Sequence, residues 1–417
     1  MRVRLGSIPL ILLILSIVLF GCGPNPTPVL TATPTATDQP DPTSTPLPLT
    51  ESLSEGPAKN IILMIGDGMG PNHRLAATYF LLGEEGELVM DSLPVRGMAQ
   101  TNNAYGQLTD SAAAGTALAT GIRTSNGRIG TDIAGESLTT ILELAQERGM
   151  AVGLVTTTEI AHATPASFAA HVASRNDQIE ISSQLLLAEV DVLLGGGEDA
   201  FLPISAEGCH SESGAREDER NLVIEALAAG YTTICSVQEF QNLSVGATSR
   251  LLGLFAEDGM LRPYAPSLAQ MTELAIAILS QDPNGFFLMI EGGQIDWASH
   301  GWDVENVIND TVGFNEAVQV ALSYAENDTE TLLIVTADHE TGGMQIEMLP
   351  EGLTGGRQEL EMPDGKAFKI RWSTSDHTDA DIPTTAFGPG SELLSGVYEN
   401  THIFYVMKLA LWIEGGE

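Results

Sequence analysis

The chain has 417 residues, with 18 Lys and Arg against 55 Asp and Glu, so its formal net charge is −37. Such a charge argues against a nucleic-acid-binding protein held by phosphate contacts. No basic stretch interleaved with aromatic residues suggests one either. Because 43% of the residues are apolar and only 18% are charged, most of the length can bury a sizeable core. We therefore expect a large globular protein with an acidic surface.

The N-terminus has the composition of an export signal. Arg2 and Arg4 precede a mainly apolar stretch at 8–20, and Leu19-Phe20-Gly21-Cys22 is typical of a lipobox, which is cleaved before its cysteine. We predict a signal peptide at 1–21 and a lipid on Cys22 that anchors an exported protein to a membrane, facing the periplasm or the cell exterior. A transmembrane anchor is the alternative, but an apolar run of roughly 13 residues is shorter than the ~20 that span a bilayer.

The composition then changes abruptly. Between Gly23 and Pro57 the sequence has nine Pro and eight Thr, and neither aromatic nor basic residues. A segment with so little apolar area cannot offset its ordering entropy, and its prolines favour an extended chain. We predict a tether at 22–57 and one domain at 58–417. Outside the cytosol a disulfide between Cys209 and Cys235 is favoured, with free buried cysteines as the alternative.

Short apolar runs predict the strands of a buried sheet. These runs are 61–65, 150–155, 190–194, 286–290 and 332–335. Helical patterns lie between them, for example at 137–148 and 267–280. Fully apolar runs suit strands buried on both faces, and their alternation with helices indicates parallel pairing. We predict an α/β fold with a three-layer αβα core, an open and mostly parallel sheet, and an active site at the carboxyl ends of the strands.

Three of the predicted strands lead directly into carboxylate and imidazole side chains. These segments are Gly66-Asp67-Gly68-Met69-Gly70, the stretch from Glu291 to His300, and the stretch from Thr336 to Gly343. Such groups, with glycines for tight turns, are what a metal centre requires. Asp296 and His300 are spaced i, i+4, so on a helix they would point the same way. Together the three segments predict a metal centre.

A candidate nucleophile precedes a run of small residues. Ser111 would lie at the N-terminal end of a slim helix, where free N–H groups and the helix dipole favour an oxyanion or a phosphate. The alternative is that Ser111 is an ordinary N-cap. The predicted metal ligands favour the nucleophile, because a serine hydroxyl needs a metal or a base to become nucleophilic.

Seven ordered segments resemble the motifs of the alkaline phosphatase family. They span about 59–411 and are Asp67, Asp110-Ser111, His162-Ala163-Thr164-Pro165, Arg175, Glu291 to His300, Asp338-His339 and Ser375-Asp376-His377-Thr378. The resemblance implies hydrolysis of small-molecule phosphate monoesters through a phosphoserine. It also implies two zinc ions and a third ion that is usually magnesium.

The resemblance assigns the metal ligands in three sets. The first zinc would be held by Asp296, His300 and His377. The second zinc, next to Ser111, would be held by Asp67, Asp338 and His339. The third ion would be held by Thr164, Glu291 and the other oxygen of Asp67. The residue types agree with these sets, because mixed histidine and carboxylate ligands suit zinc and an all-oxygen set suits magnesium.

Further residues would contact the phosphate. The resemblance makes Ser111 the nucleophile and Arg175, oriented by Asp110, the phosphate-binding group. His162 and Trp297 stand where the best-known bacterial pattern has an aspartate and a lysine. His162 either adds a nitrogen ligand to the third site or contacts the metal ligands without binding the ion itself; these alternatives stay open. Trp297 would lie near the phosphate without supplying a charge.

Two other functions remain as hypotheses. A phosphodiesterase or sulfatase of the same superfamily would lack the full third-metal set, so Thr164, Glu291 and Arg175 count against it. A non-catalytic lipoprotein that captures phosphate or metal would not need Ser111 beside two zinc sites. The resemblance allows a homodimer, although the N-terminal arm that some dimeric relatives exchange is missing. The remaining histidines match no ligand motif, and we expect structural or surface roles for His73, His171, His210 and His402.

Overall fold

The computed structural model of the chain describes residues 56–350, 352 and 356–411. The predicted signal peptide, Cys22 and nearly all of the predicted tether lie outside these residues. Within the described ranges, no helix combines the length and the apolar composition needed to cross a membrane.

A ten-stranded sheet forms the centre of the described chain. Its strands, in spatial order from edge to edge, are β15 (Gly396–Glu399), β2 (Val95–Gln100), β14 (Ile382–Phe387), β8 (Thr331–Thr336), β1 (Asn60–Gly66), β7 (Phe286–Gly292), β3 (Ala151–Glu159), β4 (Val192–Gly196), β6 (Leu251–Leu254) and β5 (Thr232–Ile234). Only β14 is antiparallel to its neighbours in this sheet. The predicted open, mostly parallel sheet is therefore confirmed.

The middle strands are buried along their whole length, as their apolar runs predict. Every residue of β1, β7 and β8 is buried, because helices cover both faces of the sheet. β1 lies between the other two, and Ile65 pairs with Glu291 on one side and with Thr336 on the other. This register brings the segments that follow the three strands to the same edge.

Two smaller antiparallel sheets are formed by the segment between β8 and β14. One consists of β10 (Met344–Met348), β12 (Ala367–Trp372) and β11 (Glu359–Glu361), and the other of β9 (Glu340–Thr341) and β13 (His377–Thr378). In the second sheet His377 pairs with Thr341. That pairing carries His377 to the loop that follows β8.

Twelve α-helices occur in the described chain. They are α1 (Pro71–Leu82), α2 (Val89–Ser92), α3 (Ser111–Thr120), α4 (Ile141–Glu147), α5 (Ala163–Ala169), α6 (Gln178–Leu187), α7 (Leu222–Ala228), α8 (Val237–Asn242), α9 (Leu268–Leu279), α10 (Gln294–His300), α11 (Val304–Asn327) and α12 (Thr401–Ala410). One layer contains α1, α9, α10 and α11, and the other contains α3, α4, α5 and α12. The three-layer αβα prediction is confirmed.

Capping decides where the two predicted helices begin. The pattern at 137–148 becomes a helix only from Ile141, because Thr140 Oγ1 accepts from the N–H of Glu143 and Glu143 accepts from the N–H of Thr140. The pattern at 267–280 becomes α9, for which Ser267 is the N-cap.

A disulfide joins Cys209 to Cys235, the residue that follows β5, as predicted from the expectation of export. The loop that carries Cys209 is held by the buried carboxylate of Glu198. This carboxylate accepts the consecutive N–H groups of Cys209, His210 and Ser211. The disulfide and the carboxylate together tie this loop to the edge of the main sheet.

A glycine in the middle of α11 offers a test of how helix propensity contributes to stability. Gly313 lies in this helix, and a Cβ there would meet nothing within 4 Å. Gly313→Ala should raise the free energy of unfolding by about 0.5–1 kcal/mol, because glycine weakens a helix interior by that amount relative to alanine. Urea denaturation at fixed metal concentration measures the change. In the matched control Gly115→Ala, within α3, the new Cβ would lie 2.9 Å from Ser167 Oγ, so stability should fall.

The contact between His171 and Glu143 predicts a pH-dependent stability. Their Nε2 and Oε1 atoms lie 3.0 Å apart, and this hydrogen bond raises the pKa of His171 above its usual 6.5. The contribution is therefore present below about pH 6.5 and is lost as the pH rises through the raised pKa. His171→Gln should cost about 0.5–1 kcal/mol more near pH 5.5 than near pH 9, as measured by urea denaturation. An equal cost at both pH values would contradict this assignment.

Candidate active site

The carboxyl ends of the adjacent strands β8, β1 and β7 form the floor of the candidate site. Asp67 follows β1, Glu291 is the penultimate residue of β7, and Asp338 and His339 follow β8. Because β1 pairs in parallel with both neighbours, these side chains meet at one edge of the sheet. The sequence placed all four at strand ends, and the structure brings them together.

A first cluster consists of Asp296, His300 and His377. Asp296 and His300 lie one turn apart on α10, and His300 Nε2 is 3.3 Å from Asp296 Oδ1. His377 Nε2 lies 3.7 Å from the same carboxylate oxygen and 3.2 Å from His300 Nε2. One ligand atom from each residue therefore converges on a common point, as a metal site needs.

The other ring nitrogens of the two histidines are fixed by backbone carbonyls. His300 Nδ1 donates to Ser375 O at 2.6 Å, and His377 Nδ1 donates to Thr109 O at 2.7 Å. In the neutral rings both Nε2 lone pairs then point into the cluster, which is the arrangement of metal-ligating histidines. The hydrogen bond to Asp296 raises the pKa of His300 to about 9. A bound cation would displace that proton.

A second cluster consists of Asp67, Asp338 and His339, all fully buried. His339 Nε2 lies 3.6 Å from Asp67 Oδ1 and 3.3 Å from Asp338 Oδ2. The hydroxyl of Ser111 lies 3.3 Å from the same Nε2 atom. Gly68 separates this cluster from the first, with φ +70° and with Asp296 Oδ1 only 2.9 Å from where a Cβ would lie. This close approach requires glycine.

A third group surrounds Glu291. Asp67, His162 and Glu291 can each direct one atom to a shared point, and Thr164 belongs to α5, whose N-cap is His162. Burial raises the pKa of Glu291 to about 7 and lowers that of His162 to about 3. His162 therefore stays neutral at physiological pH and is able to act as a ligand. Its Nε2 also accepts from Arg175, so both alternatives for this residue have a structural counterpart.

Several buried oxygens in these clusters have no hydrogen-bond donor from the protein. They are both carboxylate oxygens of Asp67, Oδ2 of Asp338, Oε1 of Glu291 and Oγ1 of Thr164. Burial raises the pKa of Asp67 well above its usual range and that of Asp338 to about 6. Buried carboxylates without donors are costly unless cations neutralise them. The donor set therefore fits bound divalent metal ions.

Ser111 is the first residue of α3, and its neighbour Asp110 is the N-cap. Asp110 Oδ1 accepts from the N–H of Ala113 at 3.0 Å, and its Oδ2 accepts from the N–H of Gly127 at 2.9 Å. The alternative that Ser111 is an ordinary N-cap is thus wrong, because Asp110 already performs that role. The Ser111 hydroxyl stays available beside the second cluster.

Arg175 reaches the site from the loop after α5. Its Nη1 donates to Asp110 Oδ2 at 3.2 Å and its Nη2 to His162 Nε2 at 3.0 Å. The orientation by Asp110 agrees with the sequence prediction. Trp297, on α10, packs edge-on against His162 with ring centroids 5.9 Å apart. Trp297 therefore contacts His162, which in turn accepts a hydrogen bond from Arg175.

The hydroxyl groups that donate hydrogen bonds to the carboxylates were not predicted from the sequence. Thr156 and Thr158 donate to Glu291 Oε2, and Thr341 donates to Asp296 Oδ1. The carbonyls of Thr109 and Ser375, which orient His377 and His300, were not predicted either. A backbone carbonyl has no residue signature, and threonine is too common in strands to stand out. Only the position of Thr156 and Thr158 at the end of a predicted strand could have indicated them.

The histidines outside the motifs join no metal-binding cluster in the described chain. Each has a hydrogen-bond partner: Ser299 for His73, Glu143 for His171, the carbonyl of Cys235 for His210 and the carbonyl of Leu393 for His402. Glu340 accepts the N–H groups of Gly343 and Met344 and so shapes its own loop.

Comparison with known proteins supports the same chemistry. The family model "Alkaline phosphatase" matches residues 58–368. Alkaline phosphatase of Escherichia coli K12 is 35% identical over 88% of this chain and 88% of that protein. Alkaline phosphatase 4 of Bacillus subtilis is 32% identical over 84% of this chain and 89% of that protein.

A solved structure extends the likeness to the fold. A variant of the alkaline phosphatase from the Antarctic bacterium TAB5, with Mg bound in its M3 site, superposes with a TM-score of 0.73. It is 29% identical to this chain and covers 86% of this chain and 99% of its own. Since the family model covers most of the described domain and a bacterial relative is 35% identical over 88% of this chain, the chain belongs to the alkaline phosphatase family and is a phosphatase enzyme.

Proposed function

We propose that the protein hydrolyses phosphate monoesters through a phosphoserine formed on Ser111, at a site of two zinc ions and one magnesium ion. One observation carries the proposal. The Ser111 hydroxyl lies at the N-terminus of α3, 3.3 Å from His339, beside buried carboxylates that need cations. Family membership supports phosphomonoester hydrolysis as the overall reaction.

Each proposed metal set corresponds to one cluster. Asp296, His300 and His377 would hold the first zinc, and Asp67, Asp338 and His339 the second. Thr164, Glu291 and Asp67 would hold magnesium, with His162 close enough to add a nitrogen. When bound, two ions would neutralise charge on the attacking and departing oxygens of an in-line displacement at phosphorus.

The chain's own residues perform the remaining tasks. Ser111 Oγ would lose its proton to solvent and attack phosphorus while the bond from phosphorus to the ester oxygen breaks, and the departing oxygen would take a proton from solvent. One water molecule would then attack the phosphoserine, so that phosphate is released and the Ser111 hydroxyl is restored. The N-terminus of α3, with its helix dipole, would favour the negatively charged phosphoryl oxygens. Arg175 can grip two of these oxygens with its planar fork, and Asp110 keeps that fork in position. Trp297 packs against His162 at the border of the site and, unlike a lysine, adds no positive charge there.

We also propose the remaining sequence predictions. The protein would be exported and held at a membrane by a lipid on Cys22, through the tether at 22–57, with the catalytic domain at 58–417. The exported bacterial setting agrees with the disulfide between Cys209 and Cys235. Homodimer formation stays a prediction.

The nucleophile is tested by Ser111→Ala. This variant should lose nearly all turnover, by at least about a thousandfold, because it lacks the hydroxyl that would accept the phosphoryl group. It should still bind inorganic phosphate, because Arg175 and the clusters remain. Acid-quenched parent enzyme exposed to labelled phosphate should carry the label on Ser111. Label on another residue during fast turnover would contradict the covalent route.

Metal dependence is tested by chelation and elemental analysis. Exhaustive chelation should abolish activity, and zinc with magnesium should restore it. His377→Ala should lower the zinc content by about one ion per chain. The control His210→Ala should keep the parent's metal content, since the His210 side chain contacts the carbonyl of Cys235, next to β5 at the edge of the main sheet, and joins none of the clusters. A metal-free protein with full activity would overturn the site assignment.

A comparison of three nitrophenyl substrates separates the proposed phosphomonoesterase from the phosphodiesterase and sulfatase alternatives. Nitrophenol release from the phosphate monoester should exceed release from the corresponding diester and sulfate by orders of magnitude, because Arg175 and the third set are arranged for a dianionic phosphoryl group. Faster cleavage of the diester or of the sulfate would favour those alternatives instead.

A further inference from the structure

Residues 127–130, which we call the bridging segment, lie between α3 and the loop that carries Arg175. The segment belongs to none of the helices and to none of the three sheets, and no role was predicted for it from the sequence. It is hydrogen-bonded to both neighbours. It therefore connects the helix of the proposed nucleophile to the proposed phosphate-binding arginine.

On one side the bridging segment is hydrogen-bonded to α3 and its N-cap. The N–H of Gly127 donates to Asp110 Oδ2 at 2.9 Å. The N–H of Gly130 donates to the buried hydroxyl of Thr116 at 3.0 Å, and this hydroxyl donates to the carbonyl of Arg128 at 3.3 Å. These bonds fix both ends of the segment relative to the helix that begins with the proposed nucleophile.

On the other side the bridging segment is hydrogen-bonded to the loop between α5 and α6. Ile129 and Val172 exchange two backbone hydrogen bonds, at 3.1 and 3.0 Å. The N–H of Arg175 donates to the carbonyl of Gly127 at 2.7 Å. Because Arg175 lies in no helix or strand, these bonds help to fix the backbone from which its guanidinium reaches the site.

Gly127, Asp110 and Arg175 form a closed ring of three hydrogen bonds. Asp110 Oδ2 accepts from both the N–H of Gly127 and Nη1 of Arg175, and the carbonyl of Gly127 accepts from the N–H of Arg175. The side chains of Arg175 and Asp110 are 24% and 18% exposed, so water competes for the bond between them. A long arginine side chain also loses rotamer entropy when it is held in one position. A backbone bond to the same glycine favours one position of the guanidinium.

The backbone conformation at position 127 favours glycine. Its φ is +83°, and the N–H of Arg128 donates to the carbonyl of Ser125, so Gly127 is the third residue of a turn. A Cβ there would meet nothing within 4 Å, so the constraint is the conformation and not the space. Turn closure alone is the simpler explanation of this glycine. It does not explain why both polar backbone groups of Gly127 bond to the two residues that would bind and orient the phosphate.

We propose that Gly127 is a positioning residue that holds Arg175 and Asp110 in the arrangement that binds the phosphoryl group. Gly127 acts through Arg175 and takes no part in the chemical steps. The inference rests on the proposed function, in which Arg175 grips two phosphoryl oxygens beside Ser111.

Gly127→Ala tests the proposal through phosphate binding. Alanine resists a φ near +83°, so the bridging segment should shift, and Arg175 with it. For the metal-loaded enzyme, the dissociation constant of inorganic phosphate should rise about threefold to tenfold. KM for nitrophenyl phosphate should rise by a similar factor while kcat changes less, because Arg175 would contact the phosphoryl oxygens both before and during the reaction. Isothermal titration calorimetry and steady-state kinetics measure these constants.

Gly230→Ala is the matched control. Gly230 has φ +90°, and a Cβ there would also meet nothing within 4 Å. It directly precedes Thr232 and its neighbour Tyr231 at the start of β5, the strand at the far edge of the sheet. Gly230→Ala should therefore lower the free energy of unfolding and leave the dissociation constant of phosphate unchanged.

Gly127→Asn is a milder change at the same position. Asparagine enters the left-handed region more readily than alanine, so phosphate binding should be weakened less than in Gly127→Ala. Elemental analysis should find the parent's metal content in both variants. If both variants bind phosphate as tightly as the parent and differ from it only in stability or in kcat, Gly127 merely closes a turn and the proposal is wrong.

A double-mutant cycle tests whether Gly127 acts through Arg175. Arg175→Ala alone should weaken phosphate binding. Adding Gly127→Ala to Arg175→Ala should weaken it by less than about twofold more, because the side chain to be positioned is then missing. An equal loss from Gly127→Ala in both backgrounds would show that the glycine acts on another group, and would overturn the proposal.

The outcomes separate the inference from the function on which it rests. A parent that carries the phosphoryl label on Ser111, with phosphate affinity unchanged in Gly127→Ala, would overturn the inference and leave the proposed function intact. If Arg175→Ala binds phosphate as tightly as the parent, the proposed role of Arg175 and the inference built on it are both wrong.

Discussion

The site depends on the burial of several carboxylates close to one another. Asp67, Glu291, Asp296 and Asp338 lie at one edge of the main sheet, and all are buried. Like charges in a low-dielectric interior repel, and burial raises the pKa of Asp67, Glu291 and Asp338. Arg175 supplies a single positive charge nearby, which is too little. Divalent cations would resolve this conflict, and the apolar strands, the glycine turns and the buried threonines keep these oxygens close together.

The two sides of the site differ in chemistry. Ser111 and Arg175 lie on the side of the N-terminus of α3, where N–H groups and a guanidinium favour the phosphoryl oxygens. His300 and His377 lie on the other side, where their Nε2 atoms face the carboxylate of Asp296. Asp296 reaches between them from α10. In the proposed mechanism, the side with Ser111 and Arg175 would bind the phosphoryl group that all substrates share.

The fold and most of the ligands could be predicted because their signals are local. Five apolar runs correspond to β1, β3, β4, β7 and β8, since a strand buried on both faces needs an uninterrupted apolar sequence. The ligands follow these runs directly or, like Asp296 and His300, repeat at helical spacing. The role of Ser111 was harder to separate from capping. The sequence contains two capping residues in succession, and only the structure identifies Asp110 as the N-cap.

The sequence by itself determined which residue types stand at the ends of which strands. The resemblance to the alkaline phosphatases assigned those residues to the motifs of a phosphatase site. Tertiary structure alone decided their mutual geometry. His377 reaches His300 because β13 pairs with β9, and the carbonyls that orient both rings come from distant loops. Strand order and register join segments hundreds of residues apart, and the periodicity of a sequence records only which face each residue presents, not which partner it meets.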